Sequence, residues 1–201
     1  GLSEAGVAYD DRGVKADERL RTSNRRIYAA GDVCSSHKFT HAADAMARIA
    51  VQNALFFGRK RVSSLVIPHC TYTDPEIARV GITQDEAADR GIPLTTLTVD
   101  LRDVDRALLA GETEGFARLH LEKGTDKLAG ATIVAPHAGE LIAEITLAMT
   151  SGLGAGAIAD AIHCYPTRSE IVKRLGDAFN RRRLTPRLLG FSRMLMKWRR
   201  R

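Results

Sequence analysis

Two stretches near the middle of the chain, FARLHLEK at 116–123 and LAGATIVA at 128–135, are separated by a turn through Gly124, Thr125 and Asp126. Such a pair reads as a β-hairpin, whose strands are antiparallel. In the first strand Ala117, Leu119, Leu121 and Lys123 alternate with Phe116, Arg118, His120 and Glu122. Successive side chains of a strand point to opposite faces, so this alternation predicts a sheet with one covered face. Helical patterns follow at Gly139–Ser151, Ala155–Ala161 and Arg168–Asn180. Before the hairpin come a strand over Pro68–Thr73, a short helix over Thr83–Arg90, a strand in IPLTTLTVD and a loop over Leu101–Gly115. Strands followed by helices on one sheet face predict an α+β domain built on an antiparallel sheet.

The N-terminal part has a different texture. GVAYDDRGVKAD sets a turn, Asp10 to Gly13, between two short extended runs and predicts another hairpin. RIYAAGD reads as a short apolar strand stopped by Gly31 and Asp32. A helix is predicted over Thr40–Phe57, with Ala42, Ala45, Met46, Ile49, Ala50, Asn53, Ala54 and Phe57 at helical spacing and Gly58 as the stop. The charged, Pro-flanked segment near 60–68 marks a boundary. The expected organisation is therefore residues 1–62, a domain over 63–180 and a tail over 181–201.

The net charge of +6 is unevenly spread: residues 181–201 hold nine Lys or Arg and no acid, leaving 21 basic and 24 acidic side chains elsewhere. No nucleic-acid partner is expected, because only the tail could support one. In the tail, Leu188, Leu189, Phe191, Met194, Leu195 and Trp198 interleave with Arg187, Arg193, Lys197 and Arg199, the pattern of a basic amphipathic helix. Such a helix suits a membrane surface or a partner protein, or packs on its own protein. No apolar run approaches the roughly 20 residues that span a bilayer, and no signal-peptide pattern opens the chain, so a cytoplasmic location is expected. Cys34, Cys70 and Cys164 lie far apart and form no CxxC or CxxxxC pair, which predicts free, mostly buried thiols and no metal site.

Three strings carry the functional signal. In TSNRRIYAAGDV (22–33), Gly31 permits close backbone approach to a ligand and Asp32 offers a carboxylate to a hydroxyl. A plain strand-to-turn junction explains the same residues. In HCYPTRSE (163–170), Pro166 ends an extended segment, Thr167 can N-cap the next helix, and Glu170 three residues later completes a capping box. YTDPEIARVGIT (72–83) is distinctive but suggests no chemistry.

Taken in this order, the strings resemble the C-terminal part of the class I pyridine nucleotide–disulfide oxidoreductases, the FAD-dependent group that contains dihydrolipoamide dehydrogenase and mercuric reductase. The resemblance covers residues 1 to about 180. It implies the end of an α/β FAD-binding domain followed by a dimerisation domain whose opening strand is matched by Thr73, Pro75, Glu76, Val80, Gly81 and Thr83. Asp32 with Gly31 would meet the flavin's ribityl chain, and the helix start at Thr40, His41 and Ala42 would face the flavin ring. NAD(P)H would supply the hydride through elements that lie upstream in the family, as do the phosphate-binding glycine turns and the redox CxxxxC. A homodimer is implied, because the family completes each active site with residues from the partner.

One position departs from the pattern. Where lipoamide dehydrogenase and glutathione reductase have a catalytic His before Pro, this chain has Tyr165, and His163 stands two residues earlier, about 7 Å away along an extended segment. A phenol with an ordinary pKa near 10 is a poor base at neutral pH, which argues against lipoamide or glutathione chemistry. Mercuric reductase is similar here, with a Tyr, but it ends in a vicinal Cys pair that this chain lacks. The expected site residues are Tyr165, Glu170 and His163. The rival expectation is a non-catalytic dimerisation module whose tail docks on a membrane or a partner.

Overall fold

The computed structural model describes residues 1–199, without the side-chain surroundings of 186–189, 193 and 197. The chain forms two compact units, Gly1–Ile67 and Pro68–Arg201.

In the first unit β1 (Tyr9–Asp10) and β2 (Gly13–Val14) form the expected hairpin, with Asp10 Oδ1 accepting from the Arg12 amide at 2.9 Å. RIYAAGD is not a strand. Tyr28 makes only an isolated bridge to Arg21, and Gly31–Val33 is a single 3-10 turn. The backbone of this stretch is satisfied by the preceding loop instead: Thr22 N–H donates to Ile27 O and Ala29 N–H to Leu20 O, both at 3.0 Å. The Thr22 hydroxyl also donates to Ile27 O and Asn24 O, both at 2.9 Å.

Helix α1 (Thr40–Leu55) buries Ala42, Met46, Ile49 and Ala50 along one face, against Leu20. Its spacing-based assignment fails at the C-terminal end. The helix stops at Leu55, and Phe57, expected on the inner face, takes φ +53° and is 97% exposed. The buried residue that closes this end is polar. Asn53 donates to Arg19 O at 3.2 Å and Lys60 O at 2.9 Å, and accepts from the Lys60 amide at 3.1 Å. Gly58 is needed for space rather than for its φ, since a Cβ there would stand 2.8 Å from Asn53 Oδ1.

The second unit is a mixed helix and antiparallel-sheet fold. Strands β3 (His69–Thr71), β4 (Glu76–Gly81), β5 (Leu94–Asp100), β6 (Phe116–Glu122) and β7 (Leu128–Ala135) form one sheet in the order β3-β4-β7-β6-β5, every pair antiparallel. Register aligns Ala78, Ile133, Ala117 and Val99 in one row, and Val80, Ala131, Leu119 and Leu97 in the next. All eight are buried, so they form the covered face.

Helix α4 (Ala138–Thr150) presents Ala138, Leu141, Ile142, Ile145 and Ala148 to this core, and α6 (Glu170–Arg183) presents Ile171, Val172 and Leu175. Full burial of each Leu, Ile or Val among these stabilises by about 1.5–3 kcal/mol before entropy is counted. Gly176 of α6 lies against α5 (Ala155–Asp160), where a Cβ would meet Ala159 N at 2.5 Å.

One element differs from expectation, and two local features were not expected. The loop over 101–115 contains a 3-10 turn at Leu101–Asp103 and a short helix, α3 (Asp105–Ala110). Helix α2 (Gln84–Asp89) starts with a capping box in which Thr83 accepts from the Glu86 amide and Glu86 accepts from the Thr83 amide. His120, on the opposite face of β6 from Leu119, is itself 1% exposed, beside a register shift at His120/Leu121. The tail continues as α7 (Pro186–Arg199), where Phe191, Met194, Leu195 and Trp198 are exposed. The expectations on Arg187, Leu188, Leu189, Arg193 and Lys197 lie outside the described side chains. Among the described residues no helix is long and apolar enough to cross a membrane.

Candidate functional site

His163, Tyr165 and Glu170 all lie in or just after the segment that joins α5 to α6. All three line one cavity of about 380 Å³, together with Cys164, Lys173, Arg174, Asp177 and Arg181. These three of the residues singled out from the sequence are therefore brought together. Each, however, is paired with a residue that the sequence did not point to.

His163 sits on α4 rather than facing solvent. Its side chain is 9% exposed, with Nε2 at 2.9 and 3.1 Å from the two Glu144 carboxylate oxygens and Nδ1 at 3.1 Å from Ala161 O. Tyr165 is 70% exposed and donates its hydroxyl to Asp105 Oδ2 of α3 at 2.5 Å. Arg168 forks onto Glu112 Oε2, Nε at 3.0 Å and a terminal nitrogen at 2.6 Å. Three carboxylates, Glu144, Asp105 and Glu112, thus tie the segment from three places in the chain.

The expected capping box at Thr167 does not form. Ser169 is the N-cap of α6 and no side chain caps the helix. The Thr167 hydroxyl is committed to Cys164 O at 2.6 Å and Ser169 Oγ at 2.8 Å, so it is unavailable to the helix amides. Glu170 reaches forward instead: its Oε1 accepts from Arg174 Nε at 2.9 Å, while its Oε2 is buried with no hydrogen-bond partner. The carboxylate expected to orient the residue before Pro166 is held by an arginine one helical turn on.

The electrostatics follow from these pairs. The hydrogen bond to Asp105 and the charge of that carboxylate hold the Tyr165 phenol above its usual range, with Glu170 adding to the effect and Arg174 opposing it. A phenol raised in this way stays protonated at neutral pH and cannot serve as a general base there. Among the described residues no three His, Cys, Asp or Glu side chains converge as a metal site requires.

The cysteines are free but not mostly buried: Cys34 and Cys70 are half-buried and Cys164 is exposed. Cys34 packs at the margin of the cluster of Leu20, Ala42, Met46, Ile49 and Ala50, and Cys70 lies on the edge strand β3. Burial raises the Cys34 thiol; burial and then the Glu76 carboxylate raise Cys70, so neither is primed as a thiolate.

The other candidate residues lie in the first unit. Gly31 takes φ +78° and packs so tightly on α1 that a Cβ would stand 2.8 Å from Ala43 Cβ. Asp32 follows as an exposed carboxylate. Phe39, not Thr40, is the N-cap of α1, and no side chain caps this helix. Thr40 and His41 are exposed, whereas the Ala42 methyl is buried in the core and offers only its backbone. An exposed carboxylate beside an uncapped helix start suits a ligand with hydroxyls and an electron-rich ring, because helix N-termini attract negative charge.

Comparison with known proteins identifies the family. Residues 67–175 match the dimerisation domain of pyridine nucleotide-disulphide oxidoreductases, and residues 1–47 match the pyridine nucleotide-disulphide oxidoreductase family itself. The chain is 38% identical over 180 residues to a mercuric reductase of Streptomyces lividans, covering 89% of this chain and 38% of that protein. It is 35% identical over 173 residues to a dihydrolipoyl dehydrogenase of Chlamydia muridarum, covering 85% of this chain and 37% of that one. Among solved structures, LpdA from Mycobacterium tuberculosis superposes with TM-score 0.82 at 28% identity, over 92% of this chain and 39% of that chain. The HOCl-induced flavoprotein disulfide reductase RclA from Escherichia coli does so with TM-score 0.78 at 25% identity, over 89% and 41%. The chain thus spans about two-fifths of the length of these relatives.

Proposed function

Because the chain belongs to the pyridine nucleotide–disulphide oxidoreductase family, we propose that it supplies part of a flavin site and the homodimer interface of an FAD- and NAD(P)H-dependent reductase. FAD, when bound, passes electrons from a reduced nicotinamide towards the substrate. Gly31 and Asp32 would hold its sugar chain, and the start of α1 at Thr40, His41 and Ala42 would face its ring. The segment 163–170 would complete the partner's active site. The observation that carries this reading is the convergence of His163, Tyr165 and Glu170 on one cavity within the region that matches the dimerisation domain.

The chain's own residues define the chemistry available there. Tyr165 is held as a protonated phenol, so it can position a substrate but not strip a thiol of its proton. Among the described residues His163 is the one imidazole lining the cavity, and both of its ring nitrogens already face acceptors. Its role is to hold the segment in place. Turnover of ordinary dithiol substrates is therefore not expected.

Two exposed apolar side chains would meet the second subunit: Leu147 of α4, 65% exposed, and Ile162, 99% exposed. Sedimentation velocity of the chain is expected to give a dimer, and Ile162→Arg or Leu147→Arg a monomer with unchanged circular dichroism. A wild-type monomer at tens of micromolar would sink the interface reading. For a protein carrying the remaining length of the relatives, a flavin absorbance spectrum weakened by Asp32→Ala tests the cofactor half.

A further inference from the structure

Helices α6 and α7 are each 14 residues long, but they treat their apolar side chains differently. Helix α6 buries Ile171, Val172 and Leu175 completely. In α7, Phe191, Met194, Leu195 and Trp198 are spaced i, i+3, i+4 and i+7, so they share one face about 100° wide. All four are exposed. A helix of 14 residues is marginal in water unless its apolar face is covered.

The charge around this face indicates what covers it. Residues 181–201 carry nine Lys or Arg and no acid, and Arg181–Arg183 at the end of α6 lead directly towards α7. A second copy of the chain compensates poorly. Its residues 1–180 hold 24 acids against 21 bases, an excess of only three for nine cations. Nucleic acid would neutralise the cations but offers no apolar medium for Met194 and Leu195. A bilayer with anionic headgroups meets both demands, because it presents a sheet of negative charge above a hydrocarbon layer. Among the described residues no helix is long and apolar enough to cross a membrane, so the contact lies in the plane of the surface.

We propose that α7 docks on an anionic phospholipid bilayer, with Phe191, Met194, Leu195 and Trp198 set at the boundary between headgroups and acyl chains. The positive charge of residues 181–201 draws the helix to the headgroup phosphates. This goes beyond the flavin and dimer roles and depends on neither.

The test uses the full chain, with Trp198, its single tryptophan, as reporter. Vesicles of phosphatidylcholine with about 30% phosphatidylglycerol are expected to shift the Trp198 emission to the blue and to carry the protein upward in a flotation gradient. Phosphatidylcholine alone should bind at least about ten-fold more weakly. Raising salt from about 0.1 to 0.5 M should remove most of the anionic binding. Ending the chain after Arg183 should abolish flotation while the thermal transition is kept. Phe191→Ser combined with Leu195→Ser keeps all nine cations and the reporter, and should weaken binding about ten-fold. Undiminished binding by this double variant would mean attraction of charge alone, as for nucleic acid, and would overturn the proposal. So would a wild type that fails to float, equal binding to the two kinds of vesicle, or flotation that survives the truncation. A wild-type emission that is already blue and unmoved by anionic vesicles would show that protein covers α7, and overturns it too.

Discussion

Gly31 holds φ +78° with Ala43 Cβ 2.8 Å from where its own Cβ would stand, so backbone and packing both exclude a side chain. Gly6 has a similar φ of +68° but open space around it. The pair separates the two costs. Gly6→Ala is expected to lose about 1 kcal/mol from the backbone alone, and Gly31→Ala about 2–3 kcal/mol, measured by urea unfolding. Equal losses would show that α1 yields freely. Sequence reading singled out Gly31, Asp32, His163, Tyr165 and Glu170 because they stand in strings that resemble a known family. It missed Asp105, Glu112 and Glu144, which lie 60, 56 and 19 residues from Tyr165, Arg168 and His163 respectively. An acidic residue in a polar stretch carries no mark of its distant partner, so the site was legible as a set of residues but not as a set of pairs.

At the scale of elements, periodicity succeeded wherever one face is buried and long enough to repeat, as in β6, β7, α4 and most of α1. It failed where short-range satisfaction decides. The six residues of α3 are too few to show a period, and the 27–30 stretch finds its hydrogen bonds in a neighbouring loop rather than in a ladder. Capping signals were misassigned for the same reason: the box is closed at Thr83 and Glu86, whereas the Thr167 hydroxyl is consumed by Cys164 O. Thr83→Ala is therefore expected to cost about 1 kcal/mol in a denaturant titration.

The covered-face pattern also hid His120. It is buried within β6, with Nδ1 at 3.0 Å from Thr96 Oγ1, its cross-strand neighbour. Burial first, and then the Arg118 charge, lower its pKa from 6.5, so the folded protein holds it neutral. The unfolded chain takes up that proton below about pH 6.5. His120 thus leaves stability untouched above that value and lowers it progressively as pH falls towards the depressed native pKa, by up to about 1.4 kcal/mol per pH unit. His120→Gln should flatten this part of a stability–pH curve. A wild-type curve that is equally flat between pH 5 and 7 would contradict a neutral buried imidazole.

For the whole molecule, the excess of basic side chains begins at Arg181–Arg183, the end of α6, and continues through α7. The described apolar residues of α7, Phe191, Met194, Leu195, Met196 and Trp198, are 42–74% exposed, so within one chain they contribute little to burial. Ending the chain after Arg183 removes six basic residues and no acidic one, which takes the net charge from +6 to zero. The shortened protein is expected to lose retention on a cation exchanger while its stability stays within about 0.5 kcal/mol of the parent. Trp198 is the chain's single tryptophan and is 74% exposed, which gives a second, independent readout. Its native emission should already match that of a solvated indole and should not shift through an unfolding transition that circular dichroism records. A blue-shifted native emission that moves red on unfolding, together with a stability loss on truncation, would mean that α7 is covered in solution. Repeating the measurement on the monomeric Ile162→Arg variant would then decide whether a second copy provides the cover: emission that turns red in the monomer assigns α7 to the dimer, and emission that stays blue assigns it to its own chain.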